Sequence, residues 1–247
     1  MALINTLVLH RIVKNSEKSL NFEDVSEYML DKILQKSRNP FFTIDEAFSN
    51  KNKNEGICLT FDDGFKSDID IVFPKLKHHS IHATFFIVKD YINKDGYMNE
   101  KDIIELSNGG MQIGSHSISH PNFLKINHSE IINELISSKK YLEDLTSNEI
   151  STFSFPFGFE NQSLIDAVFE AGYKYCCTSR HGIVKNTSTV IPRNSINGSQ
   201  KILTVYKYIK PTLFTRSYWA IEDFLKAKLK LISPKLYTKV RSIITKN

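Results

Sequence analysis

Short apolar runs of strand length alternate with segments of helical period along the first 200 residues, and this alternation limits the fold more than any other feature. The predicted strands cover 4–10, 56–61, 82–88, 111–115, 152–155 and 173–178. The clearest helical pattern covers 130–145, where Ile131, Ile132, Leu135, Ile136, Leu142 and Leu145 recur at helical spacing. Asn127, three residues before Glu130, predicts a capping box at its start. Strands alternating with helices imply parallel β-structure with crossover helices, hence an α/β fold built as a barrel or a doubly wound sheet.

Composition excludes several classes. With 247 residues, 41% hydrophobic and 24% charged, the chain is large enough to bury a core and is neither disordered nor a disulfide mini-protein. No run approaches the roughly 20 apolar residues of a membrane-spanning helix. Residues 1–200 hold no repeat or low-complexity linker, and the composition breaks near Lys210. The expected organisation is a catalytic unit over 1–209 and a basic helical tail over 210–247. That tail carries nine of the 32 basic residues against Glu222 and Asp223, so a tail of +7 joins a body of −2. Such a distribution argues against a nucleic-acid partner, whose enzymes spread basic charge around the active face.

After Pro234, the residues Leu236, Tyr237, Val240, Ile243 and Ile244 share one helical face, with Lys235, Lys239, Arg241 and Lys246 off it. An amphipathic basic helix of this kind is expected to make peripheral contact with a membrane, the alternative being a helix packed on the barrel. Three cysteines, Cys58, Cys176 and Cys177, form no disulfide framework and suit a reducing compartment. The apolar N-terminus has no basic n-region or cleavage site. The expected location is therefore cytoplasmic, at the inner face of the membrane.

Two constellations carry chemistry. In Leu59-Thr60-Phe61-Asp62-Asp63-Gly64 an apolar strand runs into two adjacent carboxylates, at the strand end where parallel α/β folds place their sites. Alone, Asp-Asp-Gly is also an ordinary turn. In Gly114-Ser115-His116-Ser117-Ile118-Ser119-His120-Pro121, two histidines four apart can face one metal, although either alone is more often structural. Together they supply three ligands and leave an open position for water. The division of labour expected is Asp63, His116 and His120 as ligands of one divalent ion, with Zn²⁺ the default, and Asp62 as general base.

These residues resemble the polysaccharide deacetylase family, the NodB-homology domain of carbohydrate esterase family 4. Thr60–Gly64 (TFDDG) matches its first motif, and His116–His120 (HSISH) its second. Phe155-Pro156-Phe157-Gly158 looks like its third, whose aromatic residue offers a backbone N–H to the oxyanion. The resemblance implies a distorted (β/α) barrel of the NodB-homology type, to which the composition break near Lys210 adds a C-terminal helical extension. It also implies a metal-dependent hydrolase that removes an N-acetyl group from an amino sugar of a polysaccharide or glycan precursor, and the basic tail adds the expectation of a lipid-linked sugar substrate. Pro156, Phe157 and Arg193 are the expected substrate-binding residues.

Two departures accompany it. The family arginine that tethers the base falls at Ser154 here, and Arg193 is a candidate to approach from another strand end. The general-acid histidine of the last motif is missing, since no histidine follows His181. Leu7-Val8-Leu9-His10-Arg11 resembles that motif moved to the N-terminus, as in circularly permuted members, and implies His10 as the acid. A deformylase or O-deacetylase acting on a lipid-linked sugar, a non-haem Fe(II) oxygenase and a catalytically impaired sugar-binding module are the alternatives. The second carboxylate, Asp62, has no place in an oxygenase triad.

Overall fold

The computed structural model describes residues 3–15, 22–37, 39–49 and 55–232. Its strands, in chain order, are β1 (Leu3–Leu9), β2 (Ile12–Val13), β3 (Val25–Ser26), β4 (Phe41–Phe42), β5 (Gly56–Phe61) and β6 (Thr84–Ile87). They continue with β7 (Gln112–Ser115), β8 (Thr152–Ser154), β9 (Tyr175–Cys177), β10 (Val184–Lys185), β11 (Val190–Ile191) and β12 (Asn194–Ser195). The helices are α1 (Glu27–Lys36), α2 (Ile44–Phe48), α3 (Phe73–His78), α4 (Glu100–Asn108), α5 (His128–Thr146), α6 (Gln162–Glu170), α7 (Ile202–Ile209) and α8 (Leu213–Ile232).

The main sheet runs β1-β5-β6-β7-β8-β9-β11, all parallel, with β10 antiparallel to β1 and β12 parallel to it. β11 lies against β9 and β12 against β1, and only Pro192 and Arg193 separate them. In those two residues the chain steps from one edge of the sheet to the other, so the curled sheet is nearly closed into a barrel. Every residue of β5 is buried, as expected of a parallel strand covered on both faces. Leu7, Leu9, Leu59, Phe61, Phe85, Ile113 and Phe153 belong to one core cluster, with the Phe61 and Phe85 rings stacked at 5.0 Å.

All six predicted strands are present. β6 starts two residues later than its apolar run because its ladder to β5 begins at the Thr60–Thr84 pair. The closing strands β10, β11 and β12 are two residues each, too short to leave a periodic pattern.

Helix α5 begins at the predicted capping box: the Asn127 side chain accepts from the Glu130 N–H, and the Glu130 carboxylate accepts from the Asn127 N–H. Its buried face is Ile131, Glu134, Leu135, Ser138 and Leu142. Ile136, counted in the apolar pattern, is instead 48% exposed. The face that meets the sheet includes two polar side chains, Glu134 and Ser138, in its place, and Glu134 is used by the site described below.

Helix α7 is tied to β1 by Asn5, whose amide donates to the Tyr208 and Ile209 carbonyls at 2.6 and 3.1 Å. Helix α8 rests on the body through Trp219, which stacks on His181 at 5.6 Å and meets Tyr208 edge-on. The basic tail expected from Lys210 thus begins as a helix docked on the body, and the amphipathic segment after Pro234 lies outside the described residues. No helix of the described residues is long and apolar enough to cross a membrane. Cys58, Cys176 and Cys177 are free and buried.

Candidate active site

The acids stand at the end of β5, where the strand ladder stops. Asp62 continues the sheet by donating its N–H to the Leu9 carbonyl at 3.0 Å. Asp63 then turns into the left-handed region (φ 78), followed by Gly64 (φ 75). After this reversal the two adjacent carboxylates share His116, whose Nε2 lies 3.8 Å from Asp62 and 3.5 Å from Asp63, but otherwise part: Asp62 meets Arg193 and Asp63 meets His120. Asp62 is 3% exposed and faces inward, whereas Asp63 opens toward the histidine loop.

The histidines follow β7. His116 is fully interior, and its Nδ1 lies 2.8 Å from the Ser154 carbonyl. A carbonyl can only accept, so Nδ1 carries the proton and the Nε2 lone pair faces Asp63. His120 returns to the same point because Ser117 (φ 73) and His120 (φ 58) are both left-handed, with the Ser117 hydroxyl accepting from the His120 N–H. Glu134 holds this loop from α5: its carboxylate accepts from the Ile118 and Ser119 N–H groups at 2.7 and 3.0 Å and from the Ser119 hydroxyl at 2.6 Å. Left-handed non-glycine residues cost about 1–3 kcal/mol each, and three of them (Asp63, Ser117 and His120) carry or shape this cluster.

Asp63 Oδ1 lies 3.5 Å from His116 Nε2 and 3.4 Å from His120 Nε2. It is buried and has no hydrogen-bond partner among the described residues. Ligating atoms of these three residues lie within 4.8 Å of one another. One orphaned carboxylate oxygen facing two imidazole nitrogens is a donor set that fits a divalent cation such as zinc. Burial raises the Asp63 carboxyl to about 6, against the pull of His10 and reinforced by Asp62. Burial also lowers His116 to about 3, so its imidazole is neutral and ready to ligate at neutral pH.

Asp62 has the opposite environment. Burial pushes its carboxyl up, but the Arg193 guanidinium, with His116 and His10, outweighs that and holds it below the usual carboxylate range. Arg193 Nη1 and Nη2 donate to the two Asp62 oxygens at 2.7 and 2.8 Å, and Nη2 also donates to the Ser154 hydroxyl at 2.7 Å. The position where the sequence lacks the expected arginine is thus occupied by a small hydroxyl that receives an arginine from another strand. Arg193 sits in the two-residue step that closes the barrel, which aims it at the end of β5.

Of the three residues grouped as substrate-binding, two are corrected. Arg193 is 1% exposed behind Asp62, and Pro156 is buried as the first residue of a tight turn after β8. Phe157 alone projects, 43% exposed at φ 59, with its ring 4.5 Å from that of His120. Gly158 must follow it: a Cβ there would meet the Ser179 side chain at 2.4 Å, and its φ is +62. His10 ends β1 beside Asp62, and its Nδ1 is buried without a hydrogen-bond partner among the described residues.

Sequence reasoning missed three features. Glu134 and Ser138 stand on the apolar stripe of α5, and a carboxylate on such a stripe was the available signal. Asp68 is fully buried in a π-helical turn (Asp68–Val72) with neither oxygen hydrogen-bonded among the described residues. Its burial, and then Asp63 and Asp62, push it well above the usual range. Phe65, Tyr97 and Tyr91 form an aromatic wall running to His120, with successive centroids at 5.0, 4.6 and 5.9 Å, assembled from separate loops.

A family model described as polysaccharide deacetylase matches residues 49–176. The chain is 30% identical over 167 residues to a peptidoglycan-N-acetylglucosamine deacetylase of Bacillus cereus, covering 64% of this chain and 55% of that protein. It is 25% identical over 182 residues to a poly-beta-1,6-N-acetyl-D-glucosamine N-deacetylase of Staphylococcus aureus, covering 65% and 63%. The chain thus spans about half to two thirds of these relatives' length. Among solved structures, the Streptococcus pyogenes deacetylase PplD in complex with acetate superposes with a TM-score of 0.72 at 20% identity, over 85% of this chain and 99% of that one. A Bacillus cereus polysaccharide deacetylase superposes at 0.73 and 21% identity, over 84% and 69%. At such identities the likeness speaks for the barrel fold.

Proposed function

The chain belongs to the polysaccharide deacetylase family, and from that premise we propose that it hydrolyses the N-acetyl group of an amino sugar within a glycan. The observation that carries this reading is the pairing of two carboxylates with opposite duties. Asp63 faces His116 and His120 with an unpaired oxygen, while Asp62 is kept ionised by Arg193. Asp63, His116 and His120 would hold the divalent ion. When bound, the ion supplies Lewis-acid polarisation of the amide carbonyl and acidifies water.

The remaining work belongs to the protein's own groups. Asp62 accepts the proton of the attacking water as the new C–O bond forms. The oxyanion contact is assigned to the Phe157 backbone N–H. His10, as general acid, gives a proton to the leaving nitrogen as the C–N bond breaks, releasing acetate and a free amine. The position of His10 at the end of β1, next to β5, supports this role from the opposite end of the chain to the family's usual acid. The exposed Phe157 and the wall of Phe65, Tyr91 and Tyr97 provide apolar faces against which a pyranose ring can pack.

The test is acetate release from polymeric, nucleotide-linked and lipid-linked N-acetylated amino sugars, with formate release scored in parallel. Asp62→Asn is expected to lose about 10²–10⁴-fold in rate while retaining metal. Near-full activity in His10→Ala removes the acid assignment, and formate release without acetate replaces deacetylation by deformylation.

A further inference from the structure

Helix α8 is turned inside out for a helix in water. Its inner contact is narrow: Trp219, 2% exposed, lies on His181, and Asp223 accepts from the His181 N–H at 2.8 Å with its other oxygen 2.9 Å from the ring Nδ1. The opposite face carries Leu213, Phe214, Tyr218, Ile221, Phe224 and Leu225, all between 57% and 83% exposed. Phe214, Tyr218, Ile221 and Leu225 follow one another at four, three and four residues, a continuous stripe over three turns. Burial of such side chains is favourable, so scattered exposure does not account for six of them on one face.

Charge selects what covers this face. From Lys210 onward the sequence holds nine basic residues and two acids. One of those acids, Asp223, is engaged with His181 on the inner side. Within α8 itself (Leu213–Ile232) the sequence holds Arg216, Lys226, Lys228 and Lys230 against Glu222 and Asp223, so a second copy would meet this helix with like charge, whereas an anionic lipid surface attracts it. We propose that the outer face of α8 lies on an anionic phospholipid surface, inserting Phe214, Tyr218, Ile221 and Leu225 at the headgroup level. This contact uses none of the residues assigned to catalysis.

The experiment is co-sedimentation of the full chain with vesicles of phosphatidylcholine alone and of phosphatidylcholine with phosphatidylglycerol. The expected result is at least tenfold stronger partitioning to the anionic vesicles, weakened by salt. A triple variant, Phe214→Ser with Ile221→Ser and Leu225→Ser, should lose at least tenfold of that binding. The chain's single tryptophan, Trp219, reports whether α8 stays docked, and unchanged emission qualifies the comparison. If Trp219 emission changes, the single variant Ile221→Asp replaces the triple one and is expected to weaken binding as well. Equal binding to both vesicle types overturns the proposal, as does binding unchanged in the variants, which would locate the contact in residues 233–247. A dimer in light scattering that the variants dissolve, without vesicle binding, overturns it in favour of a second copy.

Discussion

Arg193 grips both oxygens of Asp62 at 2.7 and 2.8 Å across 131 residues of sequence, from within the two-residue step that joins the edges of the sheet. Barrel closure and orientation of the candidate base are therefore one structural event. A planar guanidinium fixes a carboxylate in position as well as in charge, which a lysine cannot do.

Arg193→Ala leaves the Asp62 carboxylate buried without its partner, and the expected loss of stability is about 3–5 kcal/mol by denaturant unfolding. The deficit should depend on pH. In the native protein Asp62 is lowered, so its contribution is present above the unfolded carboxylate pKa and is lost as pH falls through the lowered native value. In the variant burial is opposed only by His116 and His10 and raises the carboxyl above its native value, so the penalty grows as pH rises. The gap between the two proteins should be smallest near pH 4 and widest near pH 8. A gap independent of pH contradicts this account.

Cation affinity should follow Asp63. With His116 already neutral and Asp63 raised to about 6, protons compete with the cation for the carboxylate. Binding of Zn²⁺ or Co²⁺, measured by calorimetry, should weaken by about tenfold per pH unit below 6 and level off above 7. The double variant His116→Ala, His120→Ala should abolish it at every pH.

Glu134 touches no histidine yet holds the loop between them with three hydrogen bonds. Glu134→Ala is expected to lower metal affinity about 10–100-fold, the range seen for groups that orient ligands. Glu134→Gln keeps the acceptor oxygen and should retain part of it. An unchanged affinity in Glu134→Ala would mean the loop holds its shape without α5.

Asp68 invites a stabilising change. Its carboxyl is buried with no hydrogen bond among the described residues and is raised well above the usual range. For a raised carboxyl the stability is complete below the unfolded pKa and declines as pH rises toward the native value. Asp68→Asn removes that decline. Melting temperatures in the metal-free protein should nearly coincide near pH 4 and favour the variant at pH 8; the reverse order would place an unrecognised cation partner at Asp68.

What was legible in the sequence was local. The six strands, the Asn127–Glu130 capping box and the spacing of His116 and His120 are written in periods of two to four residues. Asp62 and Asp63 could be located because a parallel strand must end where its ladder ends. What only the tertiary structure decided depends on how the sheet curls. Closure by two-residue strands leaves no sequence period, yet it brings Arg193 to Asp62, while the β1–β5 pairing brings His10 to the edge of the same site. The burial of Pro156, Glu134 and Asp68 likewise follows from which side of an element meets its neighbour. Side-chain chemistry along the chain names the candidate groups, but one carboxylate is kept ionised and its neighbour left facing two imidazoles only through charges and burial that arrive from distant strands.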